Sequence, residues 1–437
     1  MNDSDINFIE NIVKIIHLEV CSKPLARPGR RETQAQPFHE DPMNMSRLGF
    51  AAFDADHHYY EAEDAFTRHI DPRMARRAMQ WAEIKGRKCL LVGGKINRFI
   101  PNPTFDPVAK PGCLDEYFRG RNQEGKSIRD IFGELEPIHP AYRDRNARLA
   151  QLDSQEIDAC LLFPTLAVGM EEALIGDPAA AVAAFRAFNR WLEEDWGFAY
   201  RERIFSPPYI SLIDLDAAMV ELDFALEHDA RAFNMRSAPI HTATGFLSPA
   251  DRRFDPFWQK VNDSGITVAC HSGDSGYLRF SEMWGGAGEF QAFDFQPKRL
   301  CLSASPSADF MATLICDGLF DRFPNLRFAT IEQGSSWVHP MLQKLKKAYG
   351  QMPYAFKRDP LETFAKHVWV SPYYEDDLLA LRDAIGSEHI LFGSDYPHGE
   401  GLADPVSFVN DLHSFSKDEV QGIMRDNGLS LVTRRPI

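Results

Sequence analysis

Short apolar runs rich in β-branched and aromatic residues recur along the chain, and each is followed by a polar turn. Runs of this length, bounded by turn residues, are typical of strands. Several of them, such as Leu161-Leu162-Phe163, are apolar at every position, which indicates parallel strands covered on both faces. The pattern predicts eight strands: Gly49–Asp56, Asp158–Pro164, Tyr209–Ile213, Arg231–Arg236, Ile266–His271, Leu326–Glu332, His367–Ser371 and His389–Ser394.

Longer stretches with helical periodicity lie between these runs. The predicted helices are Pro178–Phe198, Leu215–His228, Asp255–Ser264, Ala308–Phe323, Trp337–Tyr349, Asp376–Ile385 and Asp404–Leu412. Strands that alternate with helices indicate the parallel β–α–β units of an α/β protein. Eight such units predict a closed (β/α)8 TIM barrel rather than an open sheet.

The chain between the first two predicted strands is longer than a crossover requires. A crossover takes about a dozen residues or slightly more, whereas residues 60–156 separate these two strands. We interpret the surplus as a long insertion over the barrel mouth that could wall a substrate site or join subunits; a peripheral structural excursion is the alternative.

Residues 1–45 are predicted to be a partly flexible N-terminal extension, and residues 46–437 form the predicted barrel.

The charge balance narrows the class of partner. The 437 residues include 48 Lys and Arg against 63 Asp and Glu, a formal net charge of −15. A negative surface repels phosphate backbones and anionic lipid, so we expect neither a nucleic-acid nor a membrane partner. The 7 cysteines are dispersed and none forms a C-x-x-C pair, a pattern typical of reduced thiols. Together these features are typical of a cytoplasmic enzyme, and by themselves they name no substrate.

Four of the predicted strands end in residues that bind metals or transfer protons. Asp56 and His58, two apart on the first strand, can face one interior point. His271 ends the fifth strand, Glu332 ends the sixth and Asp395 follows the eighth. A single such residue is more often a cap or a satisfied polar group, but the carboxyl ends of barrel strands surround one mouth. Two imidazoles and two carboxylates there suit a divalent ion such as Zn²⁺ with one position open.

The metal motifs, taken as a set, resemble those of the amidohydrolase superfamily. They are the Asp-x-His of the first strand, the His that ends the fifth and Gly-Ser-Asp-Tyr-Pro-His at 393–398. Within the superfamily they are similar to the amidohydrolase-related branch that contains aminocarboxymuconate-semialdehyde decarboxylase and the dihydroxybenzoate decarboxylases. The resemblance implies one Zn²⁺ or Mn²⁺, with Asp56, His58, His271 and Asp395 as ligands; Asp395 either binds the metal or manages the proton of its bound water. It also implies a homodimer.

Two further residues are candidates for catalysis. The sixth strand ends in Glu332, where the known decarboxylases of this branch place a histidine that works as acid–base catalyst. We assign proton transfer to Glu332 as a hypothesis, with metal ligation as the alternative. Arg236 ends the fourth strand, where an inward guanidinium could hold a substrate carboxylate through two hydrogen bonds. An ion pair with a carboxylate at the mouth is the alternative for Arg236.

These features favour a metal-dependent enzyme that decarboxylates a small aromatic or unsaturated carboxylic acid without oxidation. The second hypothesis is a hydrolase that opens an amide, lactone or similar bond with the same metal site. The third is a catalytically idle barrel that serves as a scaffold, and the retention of all the ligand types argues against it. Fold alone does not decide among the three.

Overall fold

The computed structural model describes residues 47–242, 245–285, 297–302 and 305–434. The predicted N-terminal extension lies outside the described residues, so it stays a prediction. The described strands are β1 (Ala52–Tyr59), β2 (Met79–Ile84), β3 (Arg87–Val92), β4 (Lys95–Ile96), β5 (Ile157–Pro164), β6 (Ile204–Phe205), β7 (Ala232–Asn234), β8 (Ile240–Thr242), β9 (Gly245–Leu247), β10 (Thr267–His271), β11 (Phe328–Ile331) and β12 (Val368–Val370).

Parallel strands form the central barrel. β5 pairs with β1 and β6, while β7, β10, β11 and β12 form a second parallel sheet in that order. Isolated bridges join the two sheets into a ring: Tyr209 bridges to β7, Ile390 to β12 and Tyr396 to β1. The stretch 390–396 therefore occupies the eighth position between β12 and β1, as a (β/α)8 arrangement requires.

Sixteen α-helices are described around these strands. They are α1 (Asp115–Phe118), α2 (Ile128–Phe132), α3 (Arg145–Ser154), α4 (Met170–Ala173), α5 (Pro178–Asp195), α6 (Leu215–Glu227), α7 (Asp255–Ser264), α8 (Leu278–Glu282), α9 (Pro297–Cys301), α10 (Pro306–Cys316), α11 (Leu319–Arg322), α12 (Val338–Gln351), α13 (Pro360–His367), α14 (Leu378–Ile385), α15 (Lys417–Gln421) and α16 (Asn427–Leu431). In the part of the chain that the structure describes, none of them is long and apolar enough to cross a membrane.

Side-chain alternation along the strands creates two apolar clusters. Alternate residues such as Leu161 of β5 and Ile331 of β11 belong to a smaller cluster that fills the barrel. Their neighbours, such as Leu162 and Phe328, belong to a larger cluster between the strands and the helices. Both faces of β5 are thus buried, which is why its sequence is apolar at every position except Asp158.

Two predicted strands are wrong. Tyr209–Ile213 makes only the bridge at Tyr209, because the chain turns at Leu212 and Ile213 and Asp214 caps the helix that begins at Leu215. His389–Ser394 is an irregular segment in which the Phe392 amide donates to the Ile423 carbonyl at 3.1 Å instead of to a neighbouring strand.

Other predicted elements also differ from the structure in extent or in type. β1 begins at Ala52 rather than Gly49 and continues beyond the predicted end at Asp56 to Tyr59, so it contains both Asp56 and His58. The predicted helix Ala308–Phe323 is divided into α10 and α11 by Gly318, which has a φ of 66°. The predicted helix Asp404–Leu412 is a 3₁₀ helix over Pro405–Leu412.

The segment between β1 and β5 has secondary structure of its own. β2, β3 and β4 form an antiparallel sheet, followed by the short helices α1 and α2. Phe99, which lies between β4 and α1, packs against the loop that follows β5. A Cβ added to Gly169 in that loop would lie 2.7 Å from the Phe99 ring. This close approach brings the segment to the end of β5 at which the ligand candidates lie.

Candidate metal centre

Three predicted ligands converge on one point inside the mouth of the barrel. The Nε2 atoms of His58 and His271 lie 3.1 Å apart. Asp56 Oδ1 lies 3.3 Å from the Nε2 atom of His58 and 3.4 Å from that of His271. All three side chains are buried, and they come from β1 and β10, which lie in different sheets of the ring.

The spacing of these atoms fits a divalent ion. Ligand atoms about 2.0–2.1 Å from a tetrahedral zinc ion lie roughly 3.3 Å from one another, close to the separations of 3.1, 3.3 and 3.4 Å. Asp56 Oδ1 is buried and has no hydrogen-bond partner among the described residues. A buried carboxylate oxygen without a donor is costly, and coordination to a cation removes that cost.

Two more carboxylates flank the three ligands. Asp395 Oδ1 lies 3.3 Å from His58 Nε2, and it also accepts a hydrogen bond from His398 Nδ1 at 2.6 Å. Glu332 Oε2 lies 3.1 Å from His271 Nε2 and 3.7 Å from His58 Nε2. Ligand atoms of Asp56, His58, His271 and Glu332 all lie within 4.8 Å of one another, so Glu332 is within reach of an ion at this point. Asp395 is grouped at this spacing with His58 and His398, and with Glu332 and Glu400.

Left-handed backbone directs both flanking carboxylates. Glu332 has a φ of 52° and Asp395 a φ of 56°, a conformation that few residues other than glycine adopt and that costs of order 1–3 kcal/mol. Neighbouring groups hold both in place: the Tyr373 hydroxyl donates to the Glu332 carbonyl at 2.9 Å, and the Asp395 amide donates to the Asp56 carbonyl at 2.8 Å. Strain at the ends of two barrel positions is typical of functional sites.

The charges of the cluster perturb its pKa values in opposite directions. Burial, with His398 and His271, holds the pKa of His58 well below its usual range. Burial also opposes the charge on His271, but Glu332 and Asp56 outweigh it and raise the pKa of His271 to about 10. Burial and then Glu332 raise the pKa of Asp395 well above its usual range. Three crowded carboxylates therefore demand positive charge, which a divalent ion supplies.

Fully buried polar residues form hydrogen bonds that hold β1, the strand that carries Asp56 and His58. Asp54 accepts hydrogen bonds from the amides of Asp56 and Ser394, each at 3.0 Å, and so ties β1 to the eighth barrel position. Arg148 of α3 bonds His57 Nδ1 at 3.0 Å and also donates to the His58 carbonyl. His57 thus faces away from the metal cluster and helps to position the strand that carries two ligands.

Gly393 leaves the space that Asp56 occupies. A Cβ at this position would lie 2.5 Å from Ser371 Oγ and 2.7 Å from Asp56 Cβ. We expect Gly393→Ala to displace Asp56, to lower the free energy of unfolding by about 1–3 kcal/mol and to weaken metal binding about tenfold or more. Denaturant unfolding and competition with a chelator measure the two effects.

Gly350 of α12 provides the matched control for this substitution. A Cβ there would meet nothing within 4 Å, so we expect Gly350→Ala to leave metal binding unchanged and stability equal or slightly higher. Equal metal affinity in the two variants would show that Asp56 does not depend on the space at Gly393.

A cavity of about 680 Å³ opens above the cluster. His58, His271, Glu332 and His398 are among the residues that line it, whereas Asp56 and Asp395 lie deeper. Apolar residues of the segment 99–135 form much of the remaining wall. The cluster of Asp56, His58, His271, Glu332 and Asp395 contains three carboxylates. Of these three, Glu332 is the one that faces the space a substrate would fill.

Glu61 is buried beside the cavity and holds the loop after β5. Its carboxylate accepts hydrogen bonds from the amides of Leu166, at 2.8 Å, and Ala167, at 2.9 Å. Burial raises the pKa of Glu61 to about 7, although these backbone donors oppose the rise. The loop it holds carries Thr165, whose hydroxyl contacts His398 Nε2 at 2.9 Å.

Replacing Glu61 with glutamine is expected to change the pH dependence of stability. Because the pKa is raised in the folded protein, the contribution of Glu61 is complete below pH 4.5 and is lost as the pH rises through about 7. Between pH 5 and 8 the native protein should therefore lose about 2–3 kcal/mol relative to Glu61→Gln. Denaturant titrations of both proteins over this range measure the difference, and a difference that is constant with pH would contradict the assignment.

Arg236 is engaged by two carboxylates. Its guanidinium lies 2.6 Å from Glu172 and 3.6 Å from Glu171 and is buried. This is the ion-pair alternative raised by the sequence, and Arg236 is not among the described residues that line the cavity. We therefore do not include it among the groups that contact a substrate.

Several functional contacts could not be anticipated from the sequence. His398 ends the Gly-Ser-Asp-Tyr-Pro-His motif at 393–398, and in the structure it bonds Asp395 and lines the cavity. Glu61, Arg148 and Tyr373 were not singled out, because an isolated acidic, basic or aromatic residue on a helix or loop carries no pattern. Only the Tyr-Pro-His triplet that follows Asp395 offered a signal, and it pointed to His398.

Comparison with known proteins places the chain among related sequences and folds. A family model described as amidohydrolase matches residues 131–432. The crystal structure of an amidohydrolase from Mycobacterium avium subsp. paratuberculosis K-10 is 42% identical, covers 88% of this chain and 100% of its own, and has a TM-score of 0.84.

Two more distant structures share the fold. A 2,6-dihydroxybenzoate decarboxylase in complex with 2,6-dihydroxybenzoate is 20% identical, with 77% of this chain and 97% of that chain covered and a TM-score of 0.53. An IDCase from Metarhizium anisopliae in its apo form is 16% identical, with 88% and 98% covered and a TM-score of 0.51. At these identities the similarity is one of fold.

Proposed function

Because the chain belongs to the amidohydrolase family, we propose that it is a metal-dependent enzyme that removes a carboxyl group, without oxidation, from an aromatic or unsaturated acid. The observation that carries the proposal is the position of Glu332. Its carboxyl group faces an apolar-walled cavity and lies 3.1 Å from His271 Nε2. A proton donor at that point can reach a carbon atom from which carbon dioxide departs.

In the proposed site, Asp56, His58, His271 and Asp395 hold one divalent ion. A bound ion would polarise a substrate oxygen and hold the carboxylate in place. Asp54 and Arg148 fix the strand that carries Asp56 and His58. His398, through its hydrogen bond to Asp395 Oδ1, orients that carboxylate.

Glu332 carries the proton in the proposed reaction. The bond between the ring or alkene carbon and the carboxylate breaks, and its electron pair stays on the carbon. The Glu332 carboxyl group delivers a proton to that carbon, and carbon dioxide leaves. Glu332 then takes up a proton from solvent, so the net change is the uptake of one proton and the release of carbon dioxide.

Hydrolysis is the second candidate function, because a carboxylate beside a metal site can also act as a general base toward water. Glu332 lies close enough to His58 and His271 for that role as well. The two reactions differ in their products: decarboxylation releases carbon dioxide and a product one carboxyl group lighter, whereas hydrolysis adds water. Mass spectrometry of products from aromatic and muconate-like acids, alongside amides and lactones, tests the proposal.

The finer features predicted from the sequence belong to the same proposal. The resident ion is Zn²⁺, with Mn²⁺ as the alternative; the protein is a cytoplasmic homodimer; and residues 60–156 are an insertion that walls the substrate site. The apolar cavity residues of the segment 99–135 support the last statement. Metal analysis of the purified protein tests the ion and also the scaffold hypothesis, which requires less than about half an equivalent of bound metal.

A further inference from the structure

The size of the cavity exceeds what a single-ring acid fills. Its volume of about 680 Å³ lies within the range of roughly 300–1,000 Å³ typical of sites for drug-sized ligands. His58, His271 and Glu332 of the metal cluster line part of this space. A ligand anchored there by one carboxylate leaves most of the volume for the rest of its body.

The wall facing that volume is predominantly apolar. Phe105 and Val108 are buried, and Leu135 lies at the edge of the cavity with half of its surface exposed. Other apolar residues continue the wall from the same segment: Phe99, Ile100, Pro101, Pro107, Ala109, Ile128 and Phe132. A surface of this kind gains binding free energy from apolar area removed from water, in proportion to that area.

Among the described residues that line the cavity, the charged side chains other than histidine are acidic. Glu332 and Glu400 line it, and among the side chains that the structure describes, those lining it include no lysine or arginine. Arg148, below the ligands, bonds His57 and the His58 carbonyl, and Arg236 bonds Glu172. Apart from the imidazoles of the metal cluster and His398, a second anionic group on a substrate would thus face carboxylates with no described lysine or arginine in the lining to compensate it.

From these observations we infer that the substrate is a monocarboxylic acid with a bulky apolar body of two or more rings, rather than a single-ring acid or a dicarboxylate. The inference rests on the proposed function, since the metal site supplies the anchor for the one carboxylate. It names the substrate class by two independent properties, apolar size and single charge.

Calorimetric titration of the metal-reconstituted protein tests both properties with three probes. They are 2-hydroxybenzoate, 3-hydroxy-2-naphthoate and 2-hydroxybenzene-1,3-dicarboxylate, which share an ortho-hydroxy carboxylate for the metal. We expect the two-ring acid to bind about tenfold tighter than the one-ring acid, or more. The dicarboxylate should bind at least about tenfold more weakly than the one-ring monoacid. No gain from the second ring, absent binding of the naphthoate, or equal binding of the dicarboxylate would overturn the inference.

A pair of arginine variants distinguishes two possible causes of the preference for a monoacid, the cavity wall and the overall net charge of −15. Leu135, in the cavity wall, and Val220, on α6 and not among the described lining residues, are each 50% exposed. Leu135→Arg should reduce the preference for monoacid over dicarboxylate severalfold, and Val220→Arg should leave it unchanged. An equal effect of both variants would attribute the preference to net charge and overturn the inference.

Failure of the inference and failure of the proposed function have different signatures. If the two-ring acid binds tightly but no acid in the set yields carbon dioxide, the substrate class stands and the decarboxylation is wrong. If the dicarboxylate releases carbon dioxide fastest, decarboxylation stands and the substrate class is wrong.

Discussion

Replacing His271 with alanine is expected to remove the divalent ion from the protein and to lower kcat/KM about a thousandfold. His271 Nε2 lies 3.1 Å from His58 Nε2 and 3.4 Å from Asp56 Oδ1, at the centre of the ligand cluster. Without it, three of the four proposed ligands remain, and the loss of this central imidazole weakens the retention of a zinc ion against a chelator. Loss of the electrostatic stabilisation that a metal gives the transition state, several kcal/mol, corresponds to about a thousandfold in rate.

The measurement combines metal analysis after dialysis with the rate of carbon dioxide release. His339→Ala is the control, because His339 is exposed on α12 and bonds Gln343 instead of the cluster. Circular dichroism checks that both variants are folded. A His271→Ala protein that keeps a full equivalent of metal would contradict the ligand assignment.

Replacing Glu332 with glutamine is expected to lower kcat by about a hundredfold or more while the protein keeps its metal. Glutamine preserves the size of the side chain but cannot deliver a proton, and general acids contribute about 10²–10⁴-fold to the rate. Glu332 lines the cavity, whereas Asp395 lies deeper beside His58. Asp395→Asn is therefore expected to weaken metal binding itself.

Metal content and rate, measured together on these two variants, separate the roles. Glu227→Gln is the control, since Glu227 ends α6 at the exposed surface, away from the cavity-lining residues. Reactions in deuterated water report the proton step: the native enzyme should place one deuterium on the product carbon. Loss of metal from Glu332→Gln with retention by Asp395→Asn would exchange the two assignments.

The order of strands and helices was largely predictable from the sequence. β5 and β10 lie within one residue of their predicted limits, because a short apolar run bounded by polar turns favours a strand that is covered on both faces. The helix over Asp255–Ser264 matches its prediction at both ends. There Pro256 lies in the first turn and Gly265 ends the helix in a left-handed conformation. Local chemistry of this kind is encoded within a few residues.

Two of the differences from the predictions depend on bonds to distant parts of the chain. The segment 389–394 has the composition of a strand, but the Phe392 amide bonds the carbonyl of Ile423, far along the chain. Nothing within 389–394 indicates that partner. β1 likewise continues three residues beyond its predicted end, because the amide of His58 donates a hydrogen bond to the carbonyl of Tyr396.

Residue types and their alternation in the sequence determined which groups could bind a metal: Asp56 and His58 two apart, and His271 at the end of an apolar strand. Only the closed ring of strands decided that their atoms lie 3.1–3.4 Å apart, because β1 and β10 belong to different sheets. The tertiary structure also decided that Arg236 faces Glu172, and that Glu332, rather than Asp395, lines the cavity. Side-chain type is a local property, whereas orientation and charge environment depend on contacts between residues hundreds of positions apart.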